Sequence, residues 1–150
     1  GRLGNWAGAA RLGDFCRRAW GGWAAGYGLR CSAAVRMPRA AFPHLAAAKG
    51  AIVNSIGIGS RVAAAEFTIG GSVNSALVNF TKATADIGRT RGVRVNAINP
   101  GHIATARLEG RIATAMQKSN AGRDDVMRPM PPGYGLNRFR RPGDWRLVRT

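Results

Sequence analysis

The segment Gly92–Thr105 constrains the fold more than any other part of this chain. A turn glycine is followed by the apolar and β-branched residues Val93, Val95, Ala97 and Ile98, and the run then stops at Asn99-Pro100-Gly101. Proline cannot donate to a strand ladder, and glycine permits the sharp turn that follows. The pattern predicts a buried strand over 93–99. Its carboxyl end faces a ligand cleft, because open α/β sheets bind their ligands at that edge.

A second strand and a helix precede this segment. Gly50 opens the apolar run Ala51-Ile52-Val53, which predicts a strand over 51–56. After a loop from 60 to 71, Ser72 is an N-cap candidate, and apolar residues then recur every three or four positions until Gly92. This predicts an amphipathic helix of about five turns. Strand, helix and strand in this order form a βαβ unit, right-handed by default, so the expected fold class is α/β.

The flanking segments carry weaker patterns. Residues 33–48 favour a helix, which Pro38 and Pro43 would kink or shorten, and residues 111–118 favour another short helix. Residues 1–30 show no clear period, and 120–150 are typical of loop or disorder. We therefore predict a single incomplete domain over 1–150, with its best-defined core at 50–107.

The net charge of +16 raises the possibility of a nucleic-acid partner. Most of this charge lies outside residues 50–106, and the tryptophans also lie in the least patterned segments, so we expect no specific nucleic-acid binding. The two cysteines form no disulfide framework, and with the two histidines they show no metal-ligand spacing. No run is long enough to span a membrane, and no signal-peptide pattern is present, so the expected compartment is the cytoplasm.

Several of these motifs resemble the second half of the short-chain dehydrogenase/reductase family. The matching phrases are Ala76-Leu77-Val78-Asn79-Phe80-Thr81-Lys82-Ala83, Val93-Arg94-Val95-Asn96-Ala97-Ile98-Asn99-Pro100-Gly101 and, more weakly, Asn5-Trp6-Ala7-Gly8. The resemblance implies a partial, doubly wound parallel sheet in three layers, the C-terminal half of a Rossmann-like fold. It also implies hydride transfer between NAD or NADP and a small alcohol or carbonyl substrate.

The chain departs from the family at its catalytic positions. The resemblance places the family's serine at Gly57, its tyrosine at Gly70, its lysine at Asn74 and its asparagine at Arg30. Gly70 has no side chain that could transfer a proton, and the family's glycine-rich turn for the pyrophosphate is not found in these 150 residues. The stretch 66–74 resembles a divergent subgroup that lacks the usual tyrosine. We therefore expect this isolated chain to be weakly active or inactive.

The candidate catalytic residues are Ser55 and Asn74. Ser55, or alternatively Ser60, could polarise a carbonyl, and Asn74 could hydrogen-bond a ribose but cannot supply positive charge. Glu66 is the nearest carboxylate that could accept a proton. The resemblance assigns cofactor binding to Asn5, Ala7, Gly8, Asn74, Pro100, Gly101, Ile103 and Thr105.

Two other functions stay open at this stage. The chain could be a non-catalytic binding protein that forms homo-oligomers through the helix at 72–90, as family members commonly do. A basic nucleic-acid binder is the other alternative. The substrate, the choice between NAD and NADP and the oligomeric state cannot be derived from the sequence.

Overall fold

The computed structural model describes residues 1–6, 12–101 and 105–127. It divides into two compact units, Gly1–Pro100 and Gly101–Thr150.

Three parallel strands form the centre of the first unit. They are β1 (Arg2–Asn5), β2 (Ala51–Ser55) and β3 (Arg94–Ile98), with β2 in the middle. The register places Ile52 beside Leu3 on one side and Val95 on the other. Both strands predicted from the sequence are confirmed within one or two residues at each end.

Helices connect these strands in the order expected for an α/β fold. The links are α1 (Trp20–Tyr27), a π-helical turn (Gly28–Ser32), α2 (Ala33–Ala47), two 3-10 turns (Ile58–Ser60 and Ala65–Phe67) and α3 (Thr68–Arg91). The second unit contains α4 (Ala106–Ser119) and α5 (Arg123–Met127) among its described residues.

The core lies between the sheet and the helices α2 and α3. Ile52 at the centre of β2 is 0% exposed and packs in one cluster with Leu45 of α2. A second cluster brings Ile56, just after β2, against Val73 and Leu77 of α3. Burying aliphatic side chains of this size contributes roughly 1.5–3 kcal/mol each. The α/β class and the partial Rossmann-like sheet are thus confirmed.

The start of α3 differs from the prediction. The helix begins at Thr68, so Ser72 is not its N-cap but an interior residue whose Oγ donates to the carbonyl of Ile69 at 3.0 Å. Glycine has a low helix propensity, which made Gly70-Gly71 look like loop, but the neighbouring Ile69 packs in the buried cluster with Ile56 and Val73, and such tertiary packing outweighs propensity. The predicted end is confirmed: Gly92 has the left-handed φ of 71° that suits a C-terminal glycine.

The flanking segments contain more structure than their patterns indicated. Helix α2 runs uninterrupted through Pro38 and Pro43, so the prolines do not shorten it. Strand β1 and helix α1 lie within 1–30, α4 extends beyond the predicted 111–118, and α5 lies within 120–127. Helix α1 lacks a readable period because much of it is exposed, including Trp20 at 80%.

In the second unit, α4 and α5 are joined by an ion pair. Arg123 donates from Nη1 and Nη2 to the two carboxylate oxygens of Glu109, at 2.7 and 2.8 Å. These hydrogen bonds lower the pKa of the Glu109 carboxyl below its usual value. Elsewhere in the described ranges, both cysteines are free thiols, and no helix is long and apolar enough to cross a membrane.

Candidate functional site

The candidate site lies where β2 and β3 end. Pairing continues past both strands, since Ile56 N donates to the Ile98 carbonyl and Ile58 N donates to the Pro100 carbonyl, each at 2.9 Å. The turn after β2 therefore lies directly alongside Asn99 and Pro100. This brings the predicted site residue Pro100 to the same sheet edge as Gly57, the family's serine position.

Glycines at this turn leave room for a polar side chain from α3. Gly57 has a φ of 125°, a conformation that favours glycine, and a Cβ added there would lie 3.3 Å from Asn74 Nδ2. A Cβ added at Gly59 would lie 3.2 Å from the same nitrogen. The structure thus brings Asn74 and the turn Gly57–Gly59 together. Because Gly57 stands at the family's serine position and has no side chain, only its backbone faces Asn74.

The amide of Asn74 is the most distinctive polar group of the site. Its residue is 2% exposed, and no donor among the described residues reaches its Oδ1. An unsatisfied buried acceptor costs about 1–3 kcal/mol, and such groups in folded proteins need an explanation such as a ligand or an ordered water. Asn74 was predicted as a site residue from the sequence. Its burial, and the absence of a donor to its Oδ1 among the described residues, could not be predicted.

The ring of Phe67 occupies the space beside Gly70, the family's tyrosine position. A Cβ added at Gly70 would overlap the ring at Cζ, and one added at Gly59 would lie 2.8 Å from Cε1. Gly70 is buried, and Phe67 is half-buried. An apolar ring therefore stands where the resemblance places a proton-transferring phenol. The available signal in the sequence is an aromatic residue, Phe67, one helical turn before Gly70.

The candidate serines occupy different environments. Strand alternation directs Ser55 to the opposite face from Asn54, whose Nδ2 donates to Thr81 Oγ1 of α3 at 2.9 Å. Ser55 thus lies on the face away from α3 and Asn74, and its catalytic role stays a prediction. Ser60 donates from Oγ to Asn99 Oδ1 at 3.1 Å, so its hydroxyl joins the two strand ends.

The positively charged side chain of Arg30 also lies at the end of β2. Arg30, in the π-helical turn, donates from Nη2 to the carbonyls of Ile56 at 2.7 Å and Ser55 at 3.4 Å. The resemblance assigned the family's asparagine position to this residue. Its side chain instead binds the backbone at the strand end, a role that spacing along the sequence did not indicate.

The remaining predicted residues are only partly described. Asn5 ends β1 beside Asn54, and Glu66 is exposed on the turn before α3. Gly101 and Thr105 belong to the second unit, where the Thr105 carbonyl accepts from the backbone N–H groups of Leu108 and Glu109. The predicted positions Ala7, Gly8 and Ile103 lie outside the described residues.

Comparison with known proteins identifies the family. Residues 3–130 match a family model described as Enoyl-(Acyl carrier protein) reductase. No curated protein matches the sequence of this chain.

Solved structures of short-chain dehydrogenase/reductases share the fold. One of unknown function from Caenorhabditis elegans, crystallised with cofactor, is 30% identical over 78% of this chain and 46% of its own, with a TM-score of 0.66. L-Sorbose reductase from Gluconobacter frateurii, complexed with NADPH and L-sorbose, is 25% identical over 96% of this chain and 56% of its own, with a TM-score of 0.83. An oxidoreductase from Burkholderia thailandensis, 22% identical over 83% of this chain and 53% of its own with a TM-score of 0.68, shares the fold.

The parallel sheet with its site at the strand ends defines a Rossmann-like fold. The chain belongs to the short-chain dehydrogenase/reductase family. It spans about half the length of the solved structures that it matches.

Proposed function

We propose that this chain carries part of the site of an NAD(P)-dependent oxidoreductase for small alcohols or carbonyls, and that alone it transfers hydride weakly or not at all. The observation that carries this proposal is the ring of Phe67 beside Gly70. General acid–base catalysis contributes about 10²–10⁴-fold to such a reaction, and the ring cannot transfer a proton. Neutral Asn74 cannot supply the positive charge of a lysine.

Some residues of the site fit a nicotinamide cofactor. Asn74 Oδ1, which accepts from no donor in the described part of the chain, offers an acceptor at the strand ends, and Gly57 and Gly59 let a neighbouring group approach the backbone closely. When bound, the cofactor would donate or accept a hydride. Asn74, Pro100 and Asn5 would hold its ribose, nicotinamide and adenosine sides, as the resemblance implies. With two free thiols, we also propose a reducing compartment, the cytoplasm.

The proposal is tested by measuring cofactor binding and turnover separately. We expect a fluorescence titration of the full chain with NADPH and NADH to show weak, saturable binding. On a panel of small alcohols and ketones, we expect turnover at least about 10²-fold below that of a catalytically complete family member, since the proton-transferring group is replaced. Turnover at the level of a complete enzyme would contradict the proposal.

The outer face of α3 supports a second candidate, a homo-oligomeric binding protein. Ala76, Ala83 and Ile87 lie on one exposed face of this helix, and Ile87 is 52% exposed. An apolar stripe of this kind suits helix–helix contact between two copies of the chain.

Light scattering after size exclusion tests this candidate. We expect the chain to form a dimer or larger assembly, and Ile87→Glu to shift it to the monomer, because a charge would have to be buried in the contact. Lys82→Ala, exposed on a different side of the same helix, serves as the control and should leave the assembly unchanged. A monomeric wild-type chain would exclude this candidate.

A further inference from the structure

We propose that Arg30 is a positioning residue of the candidate site, whose guanidinium supplies the hydrogen bond that Pro100 cannot donate between the ends of β2 and β3. Arg30 thereby holds the turn after β2 in register with Pro100, the residue proposed for the nicotinamide side of the cofactor. The contact itself follows from the strand geometry, and its consequence for cofactor binding rests on the proposed function.

The pairing of β2 with β3 identifies the missing donor. In a parallel ladder, a residue donates its N–H to one residue of the neighbouring strand, and its carbonyl accepts from the residue two positions further along that strand. Ile56 N donates to the Ile98 carbonyl at 2.9 Å, so the Ile56 carbonyl is placed to accept from the N–H of residue 100. That residue is Pro100, which has no N–H. The ladder therefore lacks one donor, just before the bond from Ile58 N to the Pro100 carbonyl.

The side chain of Arg30 provides a donor at this position. Its Nη2 donates to the Ile56 carbonyl at 2.7 Å, a length typical of a charge-assisted hydrogen bond, and to the Ser55 carbonyl at 3.4 Å. Ile56 is 4% exposed, so bulk water has little access to this residue. A buried carbonyl that loses its donor destabilises the structure around it, and the strand end therefore depends on Arg30.

The helix that carries Arg30 changes its winding at this residue. Helices α1 and α2 follow each other without a break through the π-helical turn Gly28–Ser32, and Arg30 is the middle residue of that turn. Single π-helical turns within α-helices are rare and are frequent at functional sites. Here the turn lies where an arginine side chain reaches the end of β2, at the carbonyl that the ladder leaves without a donor.

The contact of Arg30 joins two parts of the candidate site. The Ile56 carbonyl directly precedes Gly57, where an added Cβ would lie 3.3 Å from Asn74 Nδ2. Pro100 lies across the ladder from the same carbonyl. Without Arg30, the strand end would have to shift to hydrate the Ile56 carbonyl. This shift would change the spacing between Asn74 and Pro100, the residues proposed for the ribose and nicotinamide sides.

Amide hydrogen exchange of the full chain, measured by NMR, tests the contact without any cofactor. In Arg30→Met, we expect the Ile58 N–H to exchange at least about 5-fold faster than in the wild type, relative to the Arg94 N–H at the other end of the same strand pair. Pro100→Ala restores a backbone N–H at the gap. Adding Arg30→Met to that variant should therefore change the exchange of Ile58 by less than about 2-fold. A role of the charge alone would not be rescued, because alanine supplies a donor and no charge.

NADPH titrations followed by fluorescence test the consequence for the site. We expect Arg30→Met to bind NADPH about 3- to 10-fold more weakly than the wild type, the range of one net hydrogen bond. In the Pro100→Ala background, the same change should weaken binding by less than about 2-fold. Arg36→Met is the matched control, since it removes the same charge from an exposed position of α2. It should leave both the exchange of Ile58 and the affinity for NADPH unchanged.

Several outcomes would overturn the inference. An unchanged exchange rate of Ile58 in Arg30→Met would do so, as would equal acceleration with and without Pro100→Ala, or equal losses of NADPH affinity in Arg30→Met and Arg36→Met. If Arg30→Met does not fold, the double variant with Pro100→Ala decides: a folded double variant supports the inference, and an unfolded one overturns it. A wild-type chain that binds no NADPH would remove the proposed function and leave the exchange result standing, so the two failures are distinguishable.

Discussion

Replacing Gly70 by tyrosine is expected to lower the free energy of unfolding by about 3 kcal/mol, because the new side chain has no space. Gly70 is buried, and even a Cβ added there would overlap the Phe67 ring. The family's tyrosine therefore cannot be restored by a single substitution. Urea unfolding of the wild type and of Gly70→Tyr, monitored by circular dichroism, measures the difference in their free energies of unfolding.

Removing the Phe67 ring should restore most of this loss. In a double-mutant cycle with Phe67→Gly and Gly70→Tyr, we expect the two changes to be coupled by about 1–3 kcal/mol, since they compete for one volume. Gly71→Ala is the control: its Cβ would lie an ordinary 3.4 Å from the Gly59 carbonyl oxygen, so it should not destabilise the chain. A Gly70→Tyr variant as stable as the wild type would show that the ring does not fill this space.

The double variant is expected to fold without gaining turnover. Neutral Asn74 cannot lower the pKa of a tyrosine as a nearby lysine would, so the phenol would stay protonated near neutral pH. Turnover of the double variant is measured on the same panel of alcohols and ketones that tests the proposed function.

Replacing Gly88 by alanine is the second change with a large expected effect, again about 3 kcal/mol of destabilisation. Gly88 is buried in α3, and a Cβ there would overlap the backbone carbonyl oxygen of Val93. The Val93 N–H also donates to the Gly88 carbonyl at 2.9 Å, so helix and strand meet backbone to backbone. A backbone carbonyl cannot rotate away as a side chain can, and α3 would have to move from β3.

A glycine in open space provides the control for this prediction. A Cβ added at Gly21 in α1 would have nothing within 4 Å, so Gly21→Ala should stabilise the helix by roughly 0.5–1 kcal/mol. Chemical denaturation of both variants gives the comparison. Equal effects of the two substitutions would mean that helix propensity, and not the contact with Val93, governs position 88.

Local pattern was sufficient for the best-defined part of the fold. Alternating apolar residues located β3, and the spacing of Val73 and Leu77 located α3, because both reflect which side of an element is buried. The start of α3 was missed because glycine disfavours helix, and the tertiary packing of Ile69 against Ile56 overrides that preference. Strand β1, with four residues and one apolar position at Leu3, is too short to show a period.

For the candidate site too, the sequence indicated individual residues, whereas only the structure shows which of them lie together. Resemblance indicated Asn74, Gly57 and Pro100 one by one, and the structure places them at one sheet edge. The roles of Phe67 and Arg30 could not be predicted, because their partners lie far away in sequence or are glycines, whose contacts leave no compositional trace.

Through its resemblance to the family, the sequence by itself determined that this chain forms part of a Rossmann-like sheet and lacks the family's serine, tyrosine and lysine at positions 57, 70 and 74. Both conclusions depend on residue type and spacing, which are properties of the chain alone. Only the tertiary structure decided what replaces the missing side chains: the Phe67 ring beside Gly70 and a buried Asn74 amide whose oxygen no donor among the described residues reaches. The physical reason is that volume and hydrogen-bond satisfaction depend on every neighbour in space, and the site's neighbours come from separate segments of the chain.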